Sequence, residues 1–152
     1  MPWFEGTHTD TFTVSNPLET TRHHFSDLST IVAHTEGLAS HEIDGNTIHF
    51  VLALQDHGVV KFQGDYRCTY VLEGDTLRWH SAGGNTDQSG EITFCAVDDG
   101  TEVSYSETVK VDLDLAAPMA MMLKPVMGPM LAHEIKGFVK RMTTSLKSQA
   151  PS

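Results

Sequence analysis

A carboxylate becomes chemically useful when it is taken out of water, and strand parity singles one out. In the stretch from Thr101 to Leu113, Val103, Tyr105, Val109, Val111 and Leu113 share one face, while Glu102, Ser104, Ser106, Thr108, Lys110 and Asp112 share the other. Successive side chains of a strand point to opposite faces, so the apolar set is predicted to face inward. Glu107 falls with that set. A buried carboxyl is costly when unpaired, and desolvation raises its pKa. Such a group suits an acid, a base or a hydrogen-bond anchor for a ligand. A plainer alternative stands beside it: a bulge shifts the register, or Glu107 is a satisfied structural group bonded to a Tyr or Arg.

The same parity predicts the surroundings of Glu107. In residues 60–71, read as one strand, Phe62, Gly64, Tyr66, Cys68 and Tyr70 face inward. Leu77, Trp79 and Ser81 do so on the next strand, and Ile92, Phe94 and Ala96 on the one after. Tyr66, Tyr70, Trp79 and Tyr105 place polar tips among rings, a lining for an amphipathic ligand. An ordinary core has the same composition. Met119, Met121, Met122, Met127 and Met130 cluster just ahead of Leu131. Flexible thioethers adapt to varied apolar partners, so the cluster reads either as a deformable gate or as a Met-rich core turn.

Other chemistries find no support. The chain has no GxSxG, GxxxxGK[ST] or GxGxxG pattern. His23-His24 with Asp27 falls short of the three or four converging ligands of a zinc site, and His133-Glu134 does not continue as HExxH. No metal and no cofactor are expected. His57 is placed in an entrance loop, and His49 lies on a strand whose two faces are both apolar, leaving its direction undecided. Cys68 is predicted inward and Cys95 outward, on strands separated by a third, about 9–10 Å apart and beyond disulfide reach.

The elements that position these residues follow from turn and capping chemistry. A strand from Thr7 to Val14 hands over at Asn16-Pro17-Leu18-Glu19, where Asn16 is expected to cap a helix with Pro at its first position. Two short helices follow, the second capped at Ser26 or Asp27, ending before Gly37. Asp44-Gly45-Asn46, Glu73-Gly74-Asp75 and Asp98-Asp99-Gly100 have the makeup of tight hairpin turns. Gln55-Asp56-His57-Gly58 and Gly83-Gly84-Asn85-Thr86-Asp87-Gln88 read as looser loops at the opposite, open end. Finally Leu131, Ile135, Phe138, Met142 and Leu146 form one helical stripe. The Met-rich stretch before it holds Pro125 and Pro129, so it is expected to be kinked, split or not helical.

With 152 residues, 39% hydrophobic and 20% charged, the chain reads as a single domain over 1–152, with 1–6 and 148–152 expected to be loose. The net charge of −10 disfavours nucleic acid as a partner. That charge is uneven: residues 1–117 carry −14 and residues 118–152 carry +4. The basic closing segment admits peripheral contact with an anionic membrane, although a solvated face is the simpler reading. The opening residues lack the pattern of a secretory leader, no run spans a bilayer, and cysteine usage suits a reducing compartment, so a cytoplasmic location is expected. Nothing in the pattern fixes an oligomeric state.

A strand, two short helices, six antiparallel strands and a long C-terminal helix give an α+β layout that resembles the helix-grip superfamily, the START-like and polyketide-cyclase-like (SRPBCC) domains. The resemblance covers nearly the whole chain. It is carried by Phe12-Thr13-Val14-Ser15-Asn16-Pro17-Leu18-Glu19, similar to the family's strand-to-helix junction, and by the closing helix from Leu131 to Leu146. It implies a curved antiparallel sheet of about seven strands wrapped around that helix, with a cavity between them for lipids, sterols, polyketides, hormones or other aromatics. The expected activity is binding of a small hydrophobic or amphipathic ligand, without turnover, by Phe62, Tyr66, Trp79, Phe94, Tyr105, Glu107, Met119, Met122, Met130 and Leu131. The alternative is a polyketide cyclase or dehydratase using Glu107 with a Tyr or His as acid/base pair.

Overall fold

The computed structural model describes residues 3–56, 61–113 and 115–149. The chain runs β1 (Trp3–Val14), α1 (Leu18–Ser26), α2 (Leu28–Ala33), β2 (Leu38–Asp44), β3 (Thr47–Leu52), β4 (Gln55–Asp56), β5 (Lys61–Phe62), β6 (Asp65–Glu73), β7 (Thr76–Gly84), β8 (Thr86–Val97), β9 (Gly100–Asp112) and α3 (Ala117–Lys147). Seven strands form one antiparallel sheet in the order β1-β9-β8-β7-β6-β3-β2, and β4 pairs with β5 as a separate ribbon. This is the expected α+β helix-grip layout. Gly45 and Gly74, at φ 61° and 60°, supply the left-handed conformation that their two-residue turns require.

The inner face of the sheet carries the core. Ile48, Phe50, Tyr66, Cys68, Tyr70, Leu77, Trp79, Ile92, Phe94, Val103 and Tyr105 are buried there, against Phe25 and Ile31 from the short helices and Ile135, Val139, Met142 and Leu146 from α3. Parity therefore holds along the strands, except that Ala96 is exposed near the turn into β9. On α3, Val139 joins the expected stripe, and Phe138 is half-buried at its margin.

Close approach of α3 to β1 depends on two glycines. A Cβ on Gly6 would lie 2.6 Å from the Leu131 Cβ and 2.7 Å from the Gly128 carbonyl oxygen, and one on Gly128 would lie 3.2 Å from the Glu5 carbonyl oxygen. The two backbones meet where neither carries a side chain. Here Phe4, Val111, Leu113 and Leu131 form a second buried cluster, with Leu123 and Met127 packed on it.

Several local expectations are corrected. Residues 60–71 are not one strand: β5 and β6 are separated at Gln63 and Gly64, where Asn85 accepts from the Asp65 N–H (2.9 Å) and donates to the Gln63 carbonyl (2.7 Å). The Gly83 to Gln88 connection is not a loose loop, since β7 runs to Gly84 and β8 begins at Thr86. Trp3 to Gly6 are not loose either; they pair with Asp112 to Val109, and Phe4 is buried. At the other end the Ser148 N–H bonds the Thr144 carbonyl and Gln149 reaches His24, while 150–152 lie outside the described residues. Asn16 does not cap α1. Its amide donates to the Leu146 carbonyl at 3.2 Å, tying the start of α1 to the end of α3. Asp27 does cap α2, accepting from the Thr30 N–H and hydroxyl.

The Met-rich stretch is helical, as the first half of a continuous 31-residue α3. Pro125 and Pro129 each free a carbonyl one turn back, at Met121 and Pro125, and both of those residues are exposed. Exposure leaves those carbonyls open to solvent rather than buried and unpaired, which lets the helix continue through both prolines. No described helix is long and apolar enough to cross a membrane.

Candidate ligand cavity

Between the sheet and α3 lies a cavity of about 250 Å³. Its walls are largely aromatic and aliphatic: Phe50 stacks on Tyr66 with ring centroids 5.0 Å apart, and Trp79 sits between Tyr70 (6.0 Å) and Tyr105 (5.6 Å). From α3 come Met127, Met130, Leu131, Ile135 and Phe138. The same lining includes Thr35, Glu36, Gln55, Glu134 and Arg141, and the Glu36 side chain is 72% exposed, which marks the mouth.

Glu107 is 3% exposed and lines the cavity. Its Oε2 accepts from the Trp79 indole N–H (2.9 Å) and from the Gln88 amide (2.5 Å), and its Oε1 accepts from the Tyr105 hydroxyl (2.7 Å). Strand register explains how Trp79 gets there. Trp79 is opposite Gly90, and Gly90 is opposite Glu107, so the indole must cross an intervening strand. Gly90 leaves the space, because a Cβ at that position would lie 2.6 Å from Trp79 Cζ2. Burial raises the Glu107 pKa, and the three donors, which favour the anion, work against that rise without cancelling it. Glu107 thus faces inward as parity predicts, with no register shift at its position, and it is hydrogen-bonded to a Tyr as the plainer alternative has it.

Burial likewise raises the Tyr66, Tyr70 and Tyr105 pKa values, with the Glu107 charge adding to each, so these phenols stay protonated donors. The buried Cys68 thiol is pushed up to about 12, chiefly by desolvation, which leaves it unreactive at neutral pH.

Of the residues expected around the ligand, Phe62, Tyr66, Trp79, Tyr105, Glu107, Met130 and Leu131 line the cavity. Phe94, Met119 and Met122 do not. Phe94 is buried nearer the turn between β8 and β9, against Phe25 at 6.0 Å, because α1 fills that end of the concave face. Met122 is 71% exposed and Met121 75%, since Leu123 and Met127 occupy the face of α3 turned to the sheet. The expected gate is therefore divided, with Met127 and Met130 at the cavity and Met121 and Met122 in solvent. His57 lies outside the described residues. His49 points to the outer face, 2.6 Å from Asp65.

Gln88 is a polar lining residue that sequence reasoning misses. Residues 86, 88, 90, 92 and 94 share one parity, but treating Gly83 to Gln88 as a loop starts the strand too late for Gln88 to be counted. Extending the alternation back from Ile92 finds it. His8 is missed too: it stands opposite Glu107 on β1, and its Nε2 is buried without a hydrogen-bond partner. His24 joins no metal set; Nε2 bonds the Met142 carbonyl (2.9 Å) and Nδ1 the Gln149 amide (2.9 Å).

No family profile and no curated protein matches the sequence. Solved structures match in fold. TTHA0849 from Thermus thermophilus superposes with a TM-score of 0.65 over 92% of this chain and 96% of that one, at 15% identity. The Zhui aromatase/cyclase from Streptomyces sp. R1128 gives 0.67 over 94% of each chain at 9% identity. The di-domain aromatase/cyclase StfQ of the steffimycin biosynthetic pathway gives 0.65 over 93% of this chain and 50% of that one, at 12% identity. At these identities the likeness is one of fold, and the fold is the helix grip.

Proposed function

We propose that the protein binds a compact apolar molecule with aromatic character between its sheet and α3. The observation that carries this reading is the cavity itself, about 250 Å³ walled by aromatic rings and ending on a carboxyl that accepts three hydrogen bonds. A protein interior is normally packed without voids larger than a water. This one leaves room for about eight waters at liquid density. That is below the usual range for drug-sized sites, which favours a ligand of one or two rings over a sterol or a diacyl lipid. Native mass spectrometry of freshly purified protein, with organic extraction, is expected to show one such molecule bound per chain. Protein that carries nothing, and takes up no aromatic probe when offered it, would end the binding reading.

A second reading, a cyclase- or dehydratase-like enzyme, is favoured by the raised pKa of Glu107 together with the fold shared with the two aromatase/cyclases. A carboxyl that keeps its proton to higher pH is a better general acid near neutrality. If Glu107 transfers a proton, Glu107→Gln abolishes turnover and retains ligand affinity. Unchanged turnover would remove the enzyme reading.

A further inference from the structure

Resting on the cavity reading above, the geometry points to an anion-recognition site at the cavity mouth: Arg141 is held to receive the carboxylate of an amphipathic aromatic acid whose rings occupy the cavity. Among the described lining residues Arg141 is the one Lys or Arg, the other charged groups being Glu36, Glu107 and Glu134. Four other cations of α3, Lys124, Lys136, Lys140 and Lys147, are exposed and have no ion pair among the described residues. Arg141 is set differently. Its Nε–H donates to the His34 carbonyl at 3.0 Å and its Nη1 to Glu36 Oε2 at 3.2 Å, so the guanidinium is fixed across the gap between α3 and the α2–β2 connection.

The helix is built to allow this. Gly137, one turn before Arg141, is a helix-interior glycine, which is unfavourable for the helix. A Cβ there would stand 3.2 Å from Arg141 Nη1, so the missing side chain lets the guanidinium lie back along the helix toward the mouth. Nε and one Nη1 bond account for two of the five N–H donors of an arginine, leaving a fork that matches a carboxylate. Glu36 contributes a single contact from a side chain 72% exposed, the kind of pair that is weak in water. A ligand carboxylate held by its rings in the cavity competes with Glu36 at high local concentration. The buried end of the ligand would meet the Glu107 cluster.

Isothermal titration of the full chain with 6-hydroxy-2-naphthoate and with its neutral methyl ester tests this. The expected result is an acid-to-ester affinity ratio of about tenfold or more. The ratio should fall to near one in Arg141→Gln, be partly retained in Arg141→Lys, which keeps the charge and loses the fork, and rise in Glu36→Gln, which removes the competitor. Gly137→Ala should lower the ratio while keeping the cation, and it decides the matter if Arg141→Gln fails to fold. Equal binding of acid and ester by the native chain, or a ratio that survives Arg141→Gln, overturns the inference and leaves the cavity reading standing. Binding of neither probe overturns the inference, and the cavity reading is then decided by what organic extraction of the purified protein yields.

Discussion

Glu107 is held between opposing influences on its charge. Three donors stabilise the anion, burial opposes it, and burial prevails. The consequence for stability has a definite sign. The folded-state pKa lies above the ordinary value of 4.5, so the folded chain binds this proton more tightly than the unfolded chain does. Its contribution therefore grows as pH falls through the raised folded pKa and levels off below the unfolded one. Glu107→Gln keeps the shape: the new amide oxygen accepts from Trp79 and Gln88, and the new NH₂ donates to a reoriented Tyr105 hydroxyl. Urea denaturation at pH 7 is expected to place this variant within about 1 kcal/mol of the native chain. Glu107→Ala leaves the buried Trp79 and Tyr105 donors and the half-buried Gln88 amide unpaired and opens a hole, and should cost about 3–5 kcal/mol. A native-like Glu107→Ala would mean that the hydrogen bonds contribute little.

At the scale of elements, the cavity exists because α3 is held close to one edge of the sheet and kept off its middle. Gly6 and Gly128 bring α3 onto β1, whereas the bulky Tyr66, Tyr70 and Trp79 line the opposite wall. Gly6→Ala forces a methyl to within 2.6–2.8 Å of Leu131, Gly128 and Ala132, where backbone atoms cannot yield cheaply. A loss of about 1–3 kcal/mol is expected in chemical denaturation, with weakened ligand retention as α3 shifts. Met122→Lys on the same helix, at a side chain 71% exposed, should change stability by less than about 0.5 kcal/mol. A Gly6→Ala protein as stable as the parent would show that the helix adjusts freely.

Over the whole molecule, pH acts on the joint between the short helices and the end of α3. A carbonyl can only accept, so His24 Nε2 carries the proton toward Met142 and Nδ1 accepts from Gln149. Burial lowers the pKa of His24 below 6.5. The unfolded chain then binds this proton more readily, so the stability it contributes is present above pH 6.5 and is lost as pH falls from there toward the folded-state pKa. Midpoints of urea unfolding are expected to decline from pH 7 toward about pH 5, and less steeply in His24→Gln. Because Glu107 acts with the opposite sign over the acid range, Glu107→Gln should steepen the same decline. Parallel profiles in all three proteins would remove both assignments. The charge division between body and helix has little structural role, since Arg141 with Glu36 is the one described ion pair that joins α3 to the body.

Much was determined locally. Alternation along β9 placed Glu107 inward, the Asp-Gly and Glu-Gly turns set the hairpins, and the 3.6-residue stripe set α3, because each depends on neighbours in the chain. What alternation cannot supply is which inward side chains meet across strands. That Trp79 passes over Gly90 to Glu107, that Gln88 belongs with them, and that Phe94 is covered by Phe25 are outcomes of register and packing. Capping chemistry at Asn16 gave way to a contact with Leu146, 130 residues away. The prolines of α3 neither split nor ended the helix, because the residues whose carbonyls they free, Met121 and Pro125, are exposed. The sequence alone thus determined a curved sheet with a helix against it and an acid on the inner face. Only the tertiary structure decided that the space between them stays partly open, since a void depends on how closely two backbones approach at Gly6 and Gly128.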